Sequence, residues 1–210
     1  MHTKRSVLND TREHILRTSL KLFLQKNFKE VTMKEIVEHT KLSKGAFYHY
    51  FNSKEQVFEE VIDYFYADFM NAGFESYNHD SLAVFFKDYL DDIGNKVNSA
   101  KIVDGDGKME FSANHYFLLF DALKMLPSFK EKLQDHDIKE LNGWKKIIKI
   151  AKKNKEIKTS MTDEQVAKMF IYMSDGFGIR LLLTEGMENF AAYKSELMQL
   201  FNGMYNLLKA

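Results

Sequence analysis

The sequence predicts an all-α protein: an N-terminal three-helix helix-turn-helix unit, joined by a long helix to a C-terminal helical domain. Three observations predict it. The 210 residues include one proline, are 45% hydrophobic and are dense in Lys, Glu, Leu and Phe, a composition typical of helical chains. Ser or Thr followed three residues later by Glu or Gln recurs ahead of apolar runs of helical period, as capping boxes do. Two short amphipathic stretches between Met33 and Phe51 are separated by only a brief interruption, the pattern of two helices meeting at a tight turn.

The elements follow in order. Residues 1–9 read as a polar arm, either a solvated tail or a strand of chain whose Lys4 and Arg5 reach a phosphate backbone. Asp10 and Glu13 suit the start of a first helix running to about Lys26, with Ile15, Leu16, Leu20, Phe23 and Leu24 on one stripe. Phe28 and Val31 are expected to close a small core. Thr32 and Glu35 open a short helix with Ile36 and Val37 inward, which Thr40-Lys41 interrupts. Ser43 caps the next helix, in which Phe47 and Phe51 face inward one turn apart. Ser53 and Gln56 open a long helix through Val57, Phe58 and Val61 to about Tyr77. In the body, Leu82, Phe85, Phe86, Tyr89, Leu90 and Ile93 repeat at helical spacing to about Val97. Residues 99–110, with Asp104-Gly105-Asp106-Gly107, read as a loop that lacks the further acidic ligands of a calcium site. A helix is expected from Ser112 to Met125, before Pro127, and another from Ser128 to Asn154 carrying Trp144. Lys152, Lys153 and Lys155 would form its solvated end. Thr162 and Gln165 cap a helix with Val166, Met169, Phe170, Met173, Phe177 and Leu181, interrupted by Gly176 and Gly178 and ended by Gly186. The last helix, from Ala191 to Lys209, carries Leu197, Leu200, Phe201, Met204, Tyr205 and Leu208.

Once Phe47 and Phe51 are buried, Lys44, Tyr48, His49 and Tyr50 are left for solvent. Gly45 has no side chain to keep a phosphate or base edge away, and Lys54 stands at a helix start, where free N–H groups and the dipole favour an anion. The net charge of zero is the sum of unlike parts. Residues 1–52 carry 10 Lys and Arg against 5 Asp and Glu, leaving 20 against 25 for residues 53–210. A basic first part on an acidic body fits a polyanion that meets only the first part. The chain has no cysteine, which excludes disulfides and thiolate chemistry and fits a reducing cytoplasm. It has no signal-peptide pattern and no apolar run long enough for a membrane span. Phosphate loops, metalloprotease His pairs and nucleophile elbows are absent from the sequence, so no enzyme, cofactor or metal is expected.

The run Gly45-Ala46-Phe47-Tyr48-His49-Tyr50-Phe51, with Ser53-Lys54-Glu55 after it, resembles the signature of the tetracycline-repressor-type (TetR) family of bacterial transcription regulators. The resemblance covers roughly the first 60 residues; beyond them it is one of length and helical layout. It implies phosphate contacts from Thr32, Tyr48 and Lys54, and base-edge positions at Ser43, Lys44, Gly45, Ala46 and His49. Lys34 and Tyr50 complete the candidate DNA-facing set. Where the family often has glycine at the turn, this chain has Lys41, which is then asked to adopt a left-handed conformation at roughly 1–2 kcal/mol. Val37 stands where a small alanine is common, and would widen the crossing of the two helices.

The expected organisation is a DNA-binding domain at 1–53 and a ligand-binding and dimerisation domain at 54–210. The partners would be a (pseudo)palindromic double-stranded operator, a second copy of the chain and a small-molecule effector. Twenty-nine residues are aromatic (18 Phe, 10 Tyr, 1 Trp), enough either to fill a core or to line an apolar pocket. The candidate pocket set is Phe86, Tyr89, Tyr116, Phe120, Trp144, Phe170, Met173 and Phe177. The last two helices are the candidate dimer interface, through Phe170, Phe177, Leu181, Leu197, Phe201, Met204 and Tyr205. The function expected is a repressor released by a largely apolar molecule. The alternative is a DNA-anchored module regulated by a protein partner.

Overall fold

A computed structural model describes residues 2–70, 73–99, 102–104, 107–109, 113–184 and 190–209. Its helices are α1 (His2–Gln25), α2 (Met33–Thr40), α3 (Lys44–Tyr48), α4 (Lys54–Met70), α5 (Leu82–Ser99), α6 (Ala113–Met125), α7 (Pro127–Lys153), α8 (Asp163–Thr184) and α9 (Phe190–Leu208). The described residues are all-α apart from two short antiparallel strands, β1 (Ile102–Asp104) and β2 (Gly107–Met109), with Ile102 opposite Met109. Residues 1–67 and 113–131 form one compact unit, and residues 68–112 and 132–210 another.

Three expectations are corrected. The chain is already helical from His2, so residues 2–9 are no extended arm; Asp10 and Glu13 lie inside α1. The described part of α4 ends at Met70, and residues 74–76 form a turn, so the long helix does not reach Tyr77. Residues 102–104 and 107–109, expected within a loop, pair as two short antiparallel strands. The expected stop of α8 at Gly186 lies outside the described residues.

The first unit is organised around phenylalanine. Phe47, Phe51 and Phe58 are buried with Ile15, Leu20, Val31, Ile36 and Val61, each large side chain contributing ~1.5–3 kcal/mol by leaving water. Phe58 meets Phe23 edge-on at 5.1 Å and Phe28 at 4.8 Å, a favourable arrangement for ring quadrupoles. α6 belongs to this unit: the Phe28 N–H donates to Asp121 Oδ2 at 3.2 Å, and the Tyr66 hydroxyl to the His115 carbonyl at 3.3 Å.

The second unit is built on Trp144. Its ring stacks on Phe170 at 5.0 Å and receives the edges of Phe85 at 5.0 Å, Tyr89 at 5.2 Å and Phe201 at 5.9 Å. α7 stops at Lys153 and is followed by Lys155, whose φ of 58° is left-handed, while the Glu156 N–H closes back on the Ala151 carbonyl at 2.9 Å, as in a Schellman stop. Lys152 is not part of a solvated end. Its ammonium donates to the Met161 carbonyl and to Asp163 Oδ1, both at 2.7 Å, tying the loop to the start of α8. The Thr162–Gln165 capping box is reciprocal, with bonds of 2.8 and 3.1 Å.

Candidate nucleic-acid interface

The candidate interface is a short helix whose inner side is fully committed to the core. Ser43 caps α3, its Oγ accepting the Ala46 N–H at 3.2 Å. Phe47 and Phe51 are buried, so the opposite side turns outward by helical geometry. There Lys44, Gly45, Ala46, Tyr48 and His49 are exposed, and Tyr50 is half-buried. Nothing lies within 4 Å of where a Gly45 side chain would begin, so a phosphate or base can come close to the backbone. Most of the expected DNA-facing residues therefore share one exposed surface.

α2 is held behind α3 by contacts that local spacing does not reveal. Thr32 caps it, accepting the Glu35 N–H at 3.2 Å. The Glu35 carboxylate does not complete the capping box; it pairs with Lys26 at 2.5 Å instead, and that hydrogen bond holds its pKa below the ordinary carboxylate value. His14 Nε2 lies 3.0 Å from the Thr40 carbonyl, fastening α1 to the end of α2. Lys41 is left-handed, with φ of 56°, and its N–H reaches the Glu38 carbonyl at 3.3 Å. Lys34 projects into solvent, with Glu38 as far as 3.8 Å away, so its charge is left on the surface beside Thr32.

Lys54 differs from the expectation. Its ammonium donates to the Phe28 carbonyl at 2.8 Å and the Val31 carbonyl at 2.7 Å, and sits 4.3 Å from the centre of the Phe28 ring. Two carbonyls and an aromatic face hold it against the unit, where it braces the segment before α2. The helix-start signal was legible; the carbonyls it meets come from residues 23 and 26 positions away, and local spacing says nothing about them.

The candidate pocket set is not one cluster. Tyr116 and Phe120 are on α6, where Phe120 is exposed and lines an open cleft of about 490 Å³ with Phe23, Lys26, Asn27, Phe117 and Asp121. Phe86, Tyr89, Trp144 and Phe170 are buried against one another as core. Met173 and Phe177 are half-buried, with Phe177 stacked on Tyr193 at 5.1 Å.

The candidate dimer set is also divided. Phe170, Leu197 and Phe201 are fully buried within their own unit and cannot face a partner. Phe177, Leu181, Met204 and Tyr205 are half-buried. The apolar residues left uncovered are Tyr172, Ile179 and Leu183 on α8, in line with exposed Gly176, and Leu200 and Leu207 on α9, in line with exposed Gly203. Leu183 is 75% and Leu207 84% exposed. Both helices are apolar on more than one side, so periodicity alone does not separate the core stripe from this outer one.

Among the described residues there is no group of His, Cys, Asp or Glu able to hold a metal ion, and no helix long and apolar enough to cross a membrane.

Residues 15–61 match the sequence model of the bacterial regulatory proteins, tetR family. The HTH-type transcriptional repressor NemR of Escherichia coli K12 is 41% identical over 59 residues, 28% of this chain and 30% of that protein. Two Bacillus subtilis HTH-type regulators, YerO and YuxN, match over 22% and 18% of their own length, so the chain spans less than a third of these relatives. The negative regulator of the icaADBC biofilm operon of Staphylococcus aureus, IcaR, aligns over 94% of this chain and 96% of its own length at 21% identity. Among solved structures, reduced E. coli NemR superposes with a TM-score of 0.59 over 92% of this chain and 96% of that one, at 18% identity. A TetR/AcrR-type regulator of Aquifex aeolicus gives 0.59 over 92% and 99%, at 23%. These likenesses extend the shared fold to the helical body.

Proposed function

The first domain of this chain belongs to the tetR family of bacterial regulatory proteins, and from that premise we infer that the whole protein is a DNA-binding transcriptional regulator acting in the cytoplasm. The observation that carries the reading is the outer face of α3. Lys44, Gly45, Ala46, Tyr48 and His49 are presented together on a helix anchored by two buried phenylalanines. Such a helix fits the major groove, where side chains read base edges while flanking groups hold phosphates. Thr32, Lys34 and Tyr48 supply the phosphate contacts; Ser43, Lys44, Gly45, Ala46 and His49 read bases. Lys54 acts indirectly, by keeping the unit in shape.

The protein works as a homodimer on a (pseudo)palindromic operator, since paired readers about 34–36 Å apart match one turn of duplex. The uncovered stripe of Tyr172, Gly176, Ile179 and Leu183, with Leu200, Gly203 and Leu207, is the surface that two copies share. Small residues between large apolar ones let two helix pairs approach closely. The second unit binds a small molecule that shifts the dimer between two arrangements of its reading helices and releases the operator.

Selection of bound sequences from random duplex DNA tests this reading. The full chain is expected to enrich a palindromic site, and Lys44→Ala to change preference at particular base pairs at a cost of ~1–3 kcal/mol there. Leu183→Asp is expected to give monomers in sedimentation and to lose the palindrome. Absence of enrichment at low salt would sink the reading.

A further inference from the structure

The second unit keeps a carboxyl group in its interior, where the cation acting on it among the described residues is Lys96. Glu140 on α7 is 7% exposed. It shares a hydrogen bond with the Tyr89 hydroxyl of α5, which is itself 3.3 Å from Ser174 Oγ of α8. The other charges facing it are mostly of its own sign: Asp137 on α7 and Asp175 on α8. Lys96 of α5 is paired with Asp92 at 2.8 Å, and burial lowers the pKa of His136. Burial first, and Asp175 second, push the Glu140 carboxyl up to about 7. One turn along α7 lies Trp144, fully buried, whose indole N–H has no acceptor. A buried carboxyl whose hydrogen-bond partner is a hydroxyl, and an indole N–H without an acceptor one turn along, are both costly in a dry core.

Phe74 touches both this network and a surface cleft. Its ring stacks on Tyr89 at 6.5 Å and also lines an open cleft of about 450 Å³ with His79, Lys139, Asn142 and Lys146. Phe74 sits in the 74–76 turn and not on a helix. Its seat exists because residue 143 is glycine; a Cβ there would come within 2.7 Å of the Phe74 Cβ. The rim carries no net charge, since Lys139 is paired with Asp135 at 2.5 Å and Glu75 offsets Lys146.

We propose that the effector is an organic monocation, a lipophilic amine bearing a hydrogen-bond acceptor, which displaces Phe74, pairs its nitrogen with Glu140 and is enclosed by Phe85, Tyr89 and Trp144. This rests on the reading of the second unit as an effector domain and names the chemistry that the domain selects. Ring faces attract cations most strongly where water is excluded. The amine answers the buried carboxylate, and the acceptor answers the Trp144 N–H. Because the amine binds the carboxylate form, affinity is expected to fall as pH drops through about 7, by up to ~10-fold per unit.

The test uses the full chain and the emission of Trp144, the sole tryptophan, with three matched probes: 3-phenoxypropylamine, 3-phenoxypropanol and 3-phenoxypropionate. The amine is expected to give a saturable change at least ~10-fold tighter than the alcohol, and the acid none. Glu140→Gln is expected to erase the preference for the amine. Should that variant not fold, the wild-type affinity at pH 8 against pH 6 takes its place, with a loss of ~10-fold expected. Equal binding of amine and alcohol, an unchanged Glu140→Gln variant, a pH-independent affinity or no saturable signal would each overturn the proposal. Anisotropy of a selected duplex, run in parallel, separates the two readings. DNA binding without amine binding removes this inference alone, whereas amine binding that leaves DNA affinity unchanged removes the effector role. Loss of all duplex binding removes the regulator reading.

Discussion

The two units place their chemistry on opposite sides of their cores. In the first, the interior is plain: Phe47, Phe51, Phe58 and Ile36 do nothing but pack, and the groups able to act on a partner are outside. In the second, α8 and α9 each carry an exposed apolar stripe, while Glu140, Tyr89, Ser174 and the unpaired Trp144 N–H are inside. The difference matches the size of what each would bind. A duplex is met by a rigid outer edge, and its phosphates stay partly in water. A small molecule is recognised only where water is removed, so the polar groups that select it have to be buried beforehand.

The sharpest way to break the first half of that comparison is to remove its plain core. Phe47→Ala is expected to cost ~3–5 kcal/mol in denaturant unfolding, with loss of all duplex binding. A mild effect would mean that α3 is not held by its inner face.

The second half predicts the opposite response to a buried change. Glu140 has a folded pKa raised from 4.5 to about 7. An acid raised in the folded state is neutral there at low pH, so its burial is free of charge below the unfolded pKa. As pH rises from about 4.5 to about 7, the unfolded state ionises first and stability falls, by up to ~3 kcal/mol at 1.36 kcal/mol per unit. Glu140→Gln is therefore expected to be the more stable protein at pH 8 and to flatten this decline. A variant less stable than wild type at pH 8 would show that the carboxylate is held by a cation.

Lys54 sits between these cases, since it is a charge used for architecture within the first unit. Lys54→Ala strips two carbonyls of their donor and is expected to cost ~1–3 kcal/mol in stability. At a temperature where the variant is folded, its duplex affinity should keep the wild-type salt dependence. A slope shallower by about 1 would return Lys54 to the phosphate contacts.

How much was legible depends on how far apart the interacting residues are in the chain. Ser43 with Ala46, Ser53 with Gln56, and Thr162 with Gln165 each settle a helix start within one turn, and the structure has those bonds. Phe47 and Phe51 could be assigned inward for the same reason. The dimer candidates Phe170, Leu197 and Phe201 were misassigned because α8 and α9 are apolar on two sides. Periodicity finds an apolar stripe, but which stripe is covered depends on Trp144 and Phe86 arriving from other helices.

The sequence by itself determined the helical class, the helix starts, the outward face of α3 and the segregation of charge, because all of these follow from spacing within a few residues or from composition. Only the tertiary structure decided that Lys54 would turn inward to Phe28 and Val31, that α6 would join the first unit, and that Glu140 would be buried beside Tyr89. These depend on which distant segments share a core. That is set by the packing of the whole chain, and no local pattern carries it.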